Sequence, residues 1–172
     1  MKVLLLSDTH GCCDKWITQH AAESDEIWHA GDWGDASVAD QLKQYGKVRG
    51  VYGNIDGQDI RGEFAEQLLF RVMGMSIAMI HIGGYPGKYR PKARKLIADA
   101  QPDILITGHS HILKVMQDTQ NHHLHLNPGA AGIKGFHQVR TLLKFQIKAN
   151  EGSGTGKISD LQVIEHPKRI VS

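Results

Sequence analysis

The sequence predicts an α/β fold in which two β-sheets pack face to face with helices outside. Three observations predict it. The first third of the chain repeats a short apolar run, a polar loop and an amphipathic stretch, which argues for parallel strands joined by crossover helices. The remainder is rich in strand-like runs, and sheets of both kinds must cover their apolar faces. At 172 residues, 41% apolar and 22% charged, the chain has the composition of a globular protein with a substantial core and reads as one domain over residues 1–172.

Taken in order, Val3–Leu6 is a buried first strand, ending at Ser7-Asp8-Thr9-His10-Gly11. Trp16, Ile17 and His20 then fall at helical spacing, and Glu23-Ser24-Asp25 closes that helix. Glu26–Ala30 is the second strand, ending at Gly31-Asp32-Trp33-Gly34-Asp35. Val38, Leu42 and Tyr45 mark the second helix, with Ser37 as its N-cap and Gly46 at its C′ position. Lys47–Tyr52 is the third strand, ending at Gly53-Asn54-Ile55-Asp56-Gly57. Leu68–Met73 and Ser76–Ile82 form a hairpin turning at Gly74. Gly83–Pro91 is an exposed loop, and Pro91 opens a helix with Ala93, Leu96, Ile97 and Ala100 on one face. Ile104–Ile106 is a buried strand ending at Thr107-Gly108-His109-Ser110-His111. Leu113–Gln117, His122–Leu126 and Arg140–Lys148 read as strands of a meander, broken by Asn127-Pro128-Gly129. The Gly-rich stretch Gly152–Gly156 lies between two alternating runs and reads as a long hairpin loop rather than a domain boundary.

The chemistry sits at the strand ends. Asp8-Thr9-His10, Gly31-Asp32, Gly53-Asn54, His81 and His109-Ser110-His111 each follow the carboxyl end of a strand, the edge where α/β sheets bind ligands. Two carboxylates, one amide and four imidazoles make a mixed N/O donor set. That set suits borderline divalent ions rather than Ca, Mg or a thiolate site. It is too large for one metal that keeps an open position, and it suits two metals sharing a carboxylate.

Asp-x-His, Gly-Asp-x-x-Asp, Gly-Asn-x-Asp, a lone His and Gly-His-x-His, in that order, resemble the calcineurin-like metallophosphoesterase superfamily. The length, the compact spacing and Asn127-Pro128-Gly129 resemble its small bacterial and archaeal phosphodiesterase branch, and the likeness runs from Met1 to about Phe145. The resemblance implies a four-layer αββα sandwich of two mixed sheets. It implies a first metal on Asp8, His10, Asp32 and His111, and a second on Asp32, Asn54, His81 and His109, with Asp32 bridging. Manganese comes first among the candidates, with nickel, cobalt, iron or zinc fitting the same donors. With a bridging hydroxide, two divalent ions beside Asp8 and Asp32 leave a net charge of about +1, which suits attack on an anionic phosphate ester. The implied activity is hydrolysis of a small-molecule phosphate ester, most naturally a diester. Larger members carry His after Gly-Asn; here Ile55 stands there, which predicts weak leaving-group protonation and a preference for aryl diesters. The family's His-Gly is here His81-Ile82-Gly83, so the loop after His81 is expected to differ.

Two alternatives stand beside this reading. A retromer subunit on the same fold serves as a protein-interaction scaffold with a degraded metal site, which a full ligand set argues against. The superfamily's repair nucleases carry an added DNA-binding region and a basic surface, whereas this chain has a net charge of only +2. No stable nucleic-acid partner is expected. No apolar run approaches the ~20 residues of a membrane span, and the opening run is too short for a secretory signal, so the cytoplasm is the expected compartment. The adjacent Cys12 and Cys13 exclude a disulfide framework and read as packing or helix-start residues. Asp35 either supports the site or caps a helix, and Asp56 orients the Asn54 loop. His123 and His125 share a strand face opposite His122, read as partly exposed rather than as a metal tract; His20, His29, His137 and His166 read as structural. Lys88 and Arg90 read as a solvated face within reach of substrate, and Trp33 and Tyr85 as pocket walls. Apolar residues around Phe64–Leu69 and the Gly-rich hairpin offer a surface for a homodimer.

Overall fold

A computed structural model describes residues 1–150 and 154–168. The elements are β1 (Lys2–Leu6), α1 (Lys15–Ala21), β2 (Glu26–His29), α2 (Ala36–Lys43), β3 (Lys47–Gly50), α3 (Gln58–Glu63), β4 (Gln67–Val72), β5 (Met75–Ile80), α4 (Pro91–Ala100), β6 (Ile104–Ile106), β7 (Leu113–Asp118), β8 (His123–Pro128), β9 (Val139–Lys148) and β10 (Lys157–Pro167). They make two mixed five-stranded sheets, ordered β10-β9-β1-β2-β3 and β4-β5-β6-β8-β7. In each, three adjacent strands run parallel and antiparallel neighbours complete the sheet.

The four-layer sandwich follows from how the apolar residues alternate along the strands. On β1, Val3 and Leu5 face the second sheet and pack with Trp28, Ile77, Met79, Ile104, Ile106 and Phe145 between the sheets. Leu4 and Leu6 face the other way, against Ile17, Ala21, Val38, Leu42 and Ile60 of α1, α2 and α3. On the far side, Ala78, Ile80 and Leu105 meet Ala93 and Ile97 of α4. Strands buried on both faces read as continuous apolar runs, which is why period 2 is hidden in Val3–Leu6 and Ile104–Ile106.

The structure corrects the sequence reading at several elements. The six-residue α3 lies where no helix was expected. Asp35, not Ser37, caps α2: its carboxylate accepts from the Ser37 N–H at 2.8 Å. That helix ends at Lys43 with Gln44 as its C-cap, so Gly46 plays no capping part. The expected meander is split between the sheets. β7 and β8 pair antiparallel, β8 also lies parallel to β6, and β9 crosses to the first sheet beside β1. Strand β8 runs through Asn127 and Pro128 instead of stopping before them. β9 and β10 do pair as an antiparallel hairpin; Gly152 and Ser153 of its expected loop lie outside the described residues. Phe64 is buried, stacked on Trp33 with ring centroids 4.4 Å apart, so it adds nothing to an exposed apolar surface.

Candidate metal centre

The expected site residues converge at the carboxyl ends of β1, β2, β3, β5 and β6. Asp8, His10 and His111 form one group and Asp32, His81 and His109 another, each with ligand atoms all within 4.8 Å of one another. Asn54 joins the second group, its Oδ1 3.2 Å from His81 Nε2. Asp32 faces both: Oδ1 is 3.3 Å from His81 Nε2, and Oδ2 is 3.9 Å from His10 Nε2. All seven residues expected from the sequence are thus brought together.

The backbone is bent to do this. Asp8, His10, Asp32, His109 and His111 all lie in the left-handed region, with φ of 54°, 49°, 57°, 69° and 57°. Non-glycine residues take that conformation at a cost, and such residues cluster at functional sites. Neighbouring glycines leave the room required. A Cβ on Gly53 would lie 2.0 Å from Asp32 Oδ1, and one on Gly31 2.6 Å from the His81 ring.

Hydrogen bonds aim the donors. Ser7 Oγ donates to Asp8 Oδ2 at 2.6 Å and the His109 N–H donates to it at 3.1 Å. Asp8 Oδ1 is buried without a hydrogen-bond partner and points at His111 Nε2, 3.2 Å away. An orphaned carboxylate oxygen between two imidazoles is costly unless a cation sits there. On the other group, His81 Nδ1 donates to the Ala30 carbonyl at 2.7 Å, so its Nε2 faces Asp32 and Asn54. The Ile55 N–H donates to Asp32 Oδ1 at 3.1 Å. These bonds fix ring orientation and tautomer, as the partners of metal ligands do.

The electrostatics agree. Burial holds His10 and His109 below the usual histidine pKa, against the pull of Asp8 and Asp32, which leaves their rings neutral and able to ligate at neutral pH. Burial opposes charge on both Asp32 and His81, but their mutual contact outweighs it, lowering the carboxyl and raising the imidazole. A cation at that point would take the place of the shared proton.

Around the centre some expectations hold and others do not. Asp35 is exposed and caps α2, while buried Asp56 holds the loops as expected. Its two oxygens accept from the Gly34 N–H at 2.9 Å and the Gly53 N–H at 2.7 Å. Trp33 is no pocket wall: it is fully buried, stacked between His29 and Phe64, with its Nε1 donating to the Val51 carbonyl. His123 and His125 share a face, but that face is buried. Cys12 and Cys13 precede α1 half-buried, and burial lifts the Cys13 thiol to about 11, away from thiolate chemistry. His137, read from the sequence as structural, lies against the first group. Its Nε2 donates to the Gly132 carbonyl at 3.0 Å, and its Nδ1 lies 3.3 Å from His111 Nδ1. Arg61 of α3 was overlooked; it donates to the Asp56 and Gly53 carbonyls and clamps the Asn54 loop.

Comparison with known proteins decides the family. Residues 1–150 match the calcineurin-like phosphoesterase superfamily domain. A probable metallophosphoesterase of Mycoplasma pneumoniae is 30% identical over 165 residues, covering 93% of this chain and 94% of that protein. The chain belongs to the calcineurin-like phosphoesterase superfamily. Among solved structures, wild-type Vps29 complexed with Zn2+ from Entamoeba histolytica superposes on this phosphoesterase with a TM-score of 0.71 at 19% identity, covering 96% of this chain and 99% of its own. An archaeal phosphodiesterase superposes with a TM-score of 0.66 at 17% identity, covering 95% and 100%. Both show the shared fold. Membership implies phosphoesterase activity with divalent metal ions, and the donor chemistry and the orphaned Asp8 oxygen fit such ions.

Proposed function

We propose that this chain is a dinuclear phosphodiesterase acting on small-molecule phosphate esters. In this reading Asp8, His10, Asp32 and His111 hold one divalent ion, and Asp32, Asn54, His81 and His109 hold the other. The observation that carries it is the division of the two carboxylates. Asp32 turns one oxygen to each group, and Asp8 leaves a buried oxygen unpartnered in the first. A scaffold on this fold has no use for an orphaned buried carboxylate. Bound there, two divalent ions supply positive charge for the phosphate and an acidified water for in-line attack on phosphorus.

The chain's own residues then have defined tasks. Ser7 and the His109 N–H hold Asp8 in place, and the Ala30 carbonyl holds His81. Ile55 gives its backbone N–H to Asp32, but its side chain has no proton to give a departing alkoxide. Diesters with good leaving groups are therefore favoured. The archaeal phosphodiesterase that shares this fold supports the choice of a diester, and manganese is the first candidate ion.

The test is hydrolysis of bis-p-nitrophenyl phosphate by metal-stripped protein, with Mn, Ni, Co, Zn or Mg returned singly. Activity that requires a transition metal and is lost in Asp32→Asn, with the fold retained by circular dichroism, is the expected result. No hydrolysis with any metal by folded protein would end the enzymatic reading. Turnover of an alkyl monoester as fast as the aryl diester would overturn the leaving-group argument.

A further inference from the structure

A cavity of about 500 Å³ opens beside the second metal group. It is lined by His109 and Ser110 together with Lys88, Arg90, Arg94 and Tyr85, and no carboxylate lines it. Several other surface cations are paired, among them Arg49 with Glu26, Lys92 with Glu66 and Lys95 with Asp99. Among the described residues, Lys88, Arg90 and Arg94 have neither an ion pair nor a side-chain hydrogen bond. Three unpaired cations gathered in one concavity repel each other, and an anion relieves that repulsion.

The cations are presented by a braced loop. The Arg90 N–H donates to the Gly83 carbonyl at 2.9 Å and the Lys88 N–H to Tyr85 at 2.8 Å. Between Lys88 and Arg90, the Tyr89 hydroxyl reaches inward to buried His123, 2.9 Å from its Nε2. Arg94 lies one turn into α4, whose first turn bonds back to Arg90 through the Arg94 N–H at 2.9 Å. The guanidinium groups thus start from anchored backbone, which lowers the entropic cost of gripping a ligand. On the far side of Arg90 a second cavity, of about 540 Å³, runs past His81 and Asn54 and has an apolar wall of Tyr52, Ile80, Ile82 and Pro91.

We infer that the cavity beside His109 is a subsite for a second phosphate, so that the substrate is a phosphodiester carrying a further phosphate on one of its alcohol arms. Arg90 and Arg94 grip that phosphate, Lys88 adds charge, and the apolar wall of the second cavity receives an uncharged arm. Arginine suits the task because its planar fork matches phosphate oxygens in pairs. This rests on the diesterase reading for the scissile phosphate, but the second phosphate is held by residues outside the metal groups.

The experiment is calorimetric titration of manganese-loaded protein with thymidine 3′,5′-bisphosphate and with thymidine 5′-monophosphate, in wild type and in Arg90→Gln/Arg94→Gln. The bisphosphate should bind about 10- to 100-fold more tightly to wild type, the range for charge-assisted hydrogen bonds, and that preference should collapse toward unity in the double variant. Equal affinities in wild type, or a preference that survives the double substitution, overturn the inference. Hydrolysis of bis-p-nitrophenyl phosphate by the same samples separates the two claims. Hydrolysis without a bisphosphate preference removes only the subsite. A preference without hydrolysis sustains the subsite and removes the diesterase.

Discussion

His137 Nε2 donates to the Gly132 carbonyl, so the Nδ1 of a neutral His137 is an acceptor. The proton between the two rings therefore sits on His111 Nδ1, and the lone pair of His111 Nε2 faces Asp8. One carbonyl, through one ring, selects the tautomer that a metal ion on Asp8, His10 and His111 would need. Removing such a partner commonly costs 10–100-fold in metal affinity, so His137→Ala should weaken manganese binding by about that factor in competition with a chelator. An unchanged affinity would mean that His111 is aimed by other contacts. Ile55 allows a complementary gain. Its N–H serves Asp32 while its side chain is 48% exposed, so the side chain can change without loss of that hydrogen bond. Ile55→His should raise the rate on alkyl diesters relative to aryl diesters. An unchanged ratio would show that proton donation at this position does not limit the reaction.

At the scale of elements, the site is a set of strand ends, each continued by a tight loop that shares atoms with its neighbour. Gly53, just beyond β3, shows how closely these loops pack. A methyl group there would lie 2.0 Å from Asp32 Oδ1, which already accepts from the Ile55 N–H. Gly53→Ala should displace the Asp32 carboxylate, reduce metal occupancy and lower stability by about 1–3 kcal/mol, the usual cost of overpacking, read by thermal melting with and without manganese. A native melting temperature with full metal occupancy would show that the loop yields cheaply. This packing also explains what the sequence made legible. The strands announced themselves as apolar runs, and the motif residues stood at their ends in a recognisable order, so the seven side chains that converge there could be named from the sequence. The α3 helix has one buried apolar residue, Ile60, and so carries no periodic signal. His137 and Arg61 act from loop and helix positions set by the packing of distant segments, which no local pattern records. Asp35 and Asp56 follow the same Gly-Asp and Gly-Asn motifs, and only the fold turns one outward and the other in.

Across the whole molecule, buried neutral histidines tie the fold to pH. His125 lies fully buried beneath the Tyr89 loop, and burial, with His123 and Lys114 adding to it, pushes its pKa down to about 4. His29, sealed between Trp33 and Thr9, is depressed in the same direction, again mainly by burial. The sign follows from proton uptake. Near an unfolded pKa of about 6.5 the unfolded chain takes up protons that the folded chain refuses, so the stability present above that pH is lost as pH falls. For His125 the loss extends down to its folded pKa of about 4 and amounts to roughly 3 kcal/mol there. The measurement is urea unfolding in chelator, which removes the metal's own pH linkage, at steps from pH 7 to pH 4.5. The midpoint should fall across that range, and His125→Asn, whatever it does to stability at pH 7, should fall less steeply because it lacks a group to titrate. Parallel lines for the two proteins would show that the His125 site admits a proton as readily as water does. Its burial between the Tyr89 hydroxyl and Thr107 would then count for packing and not for charge.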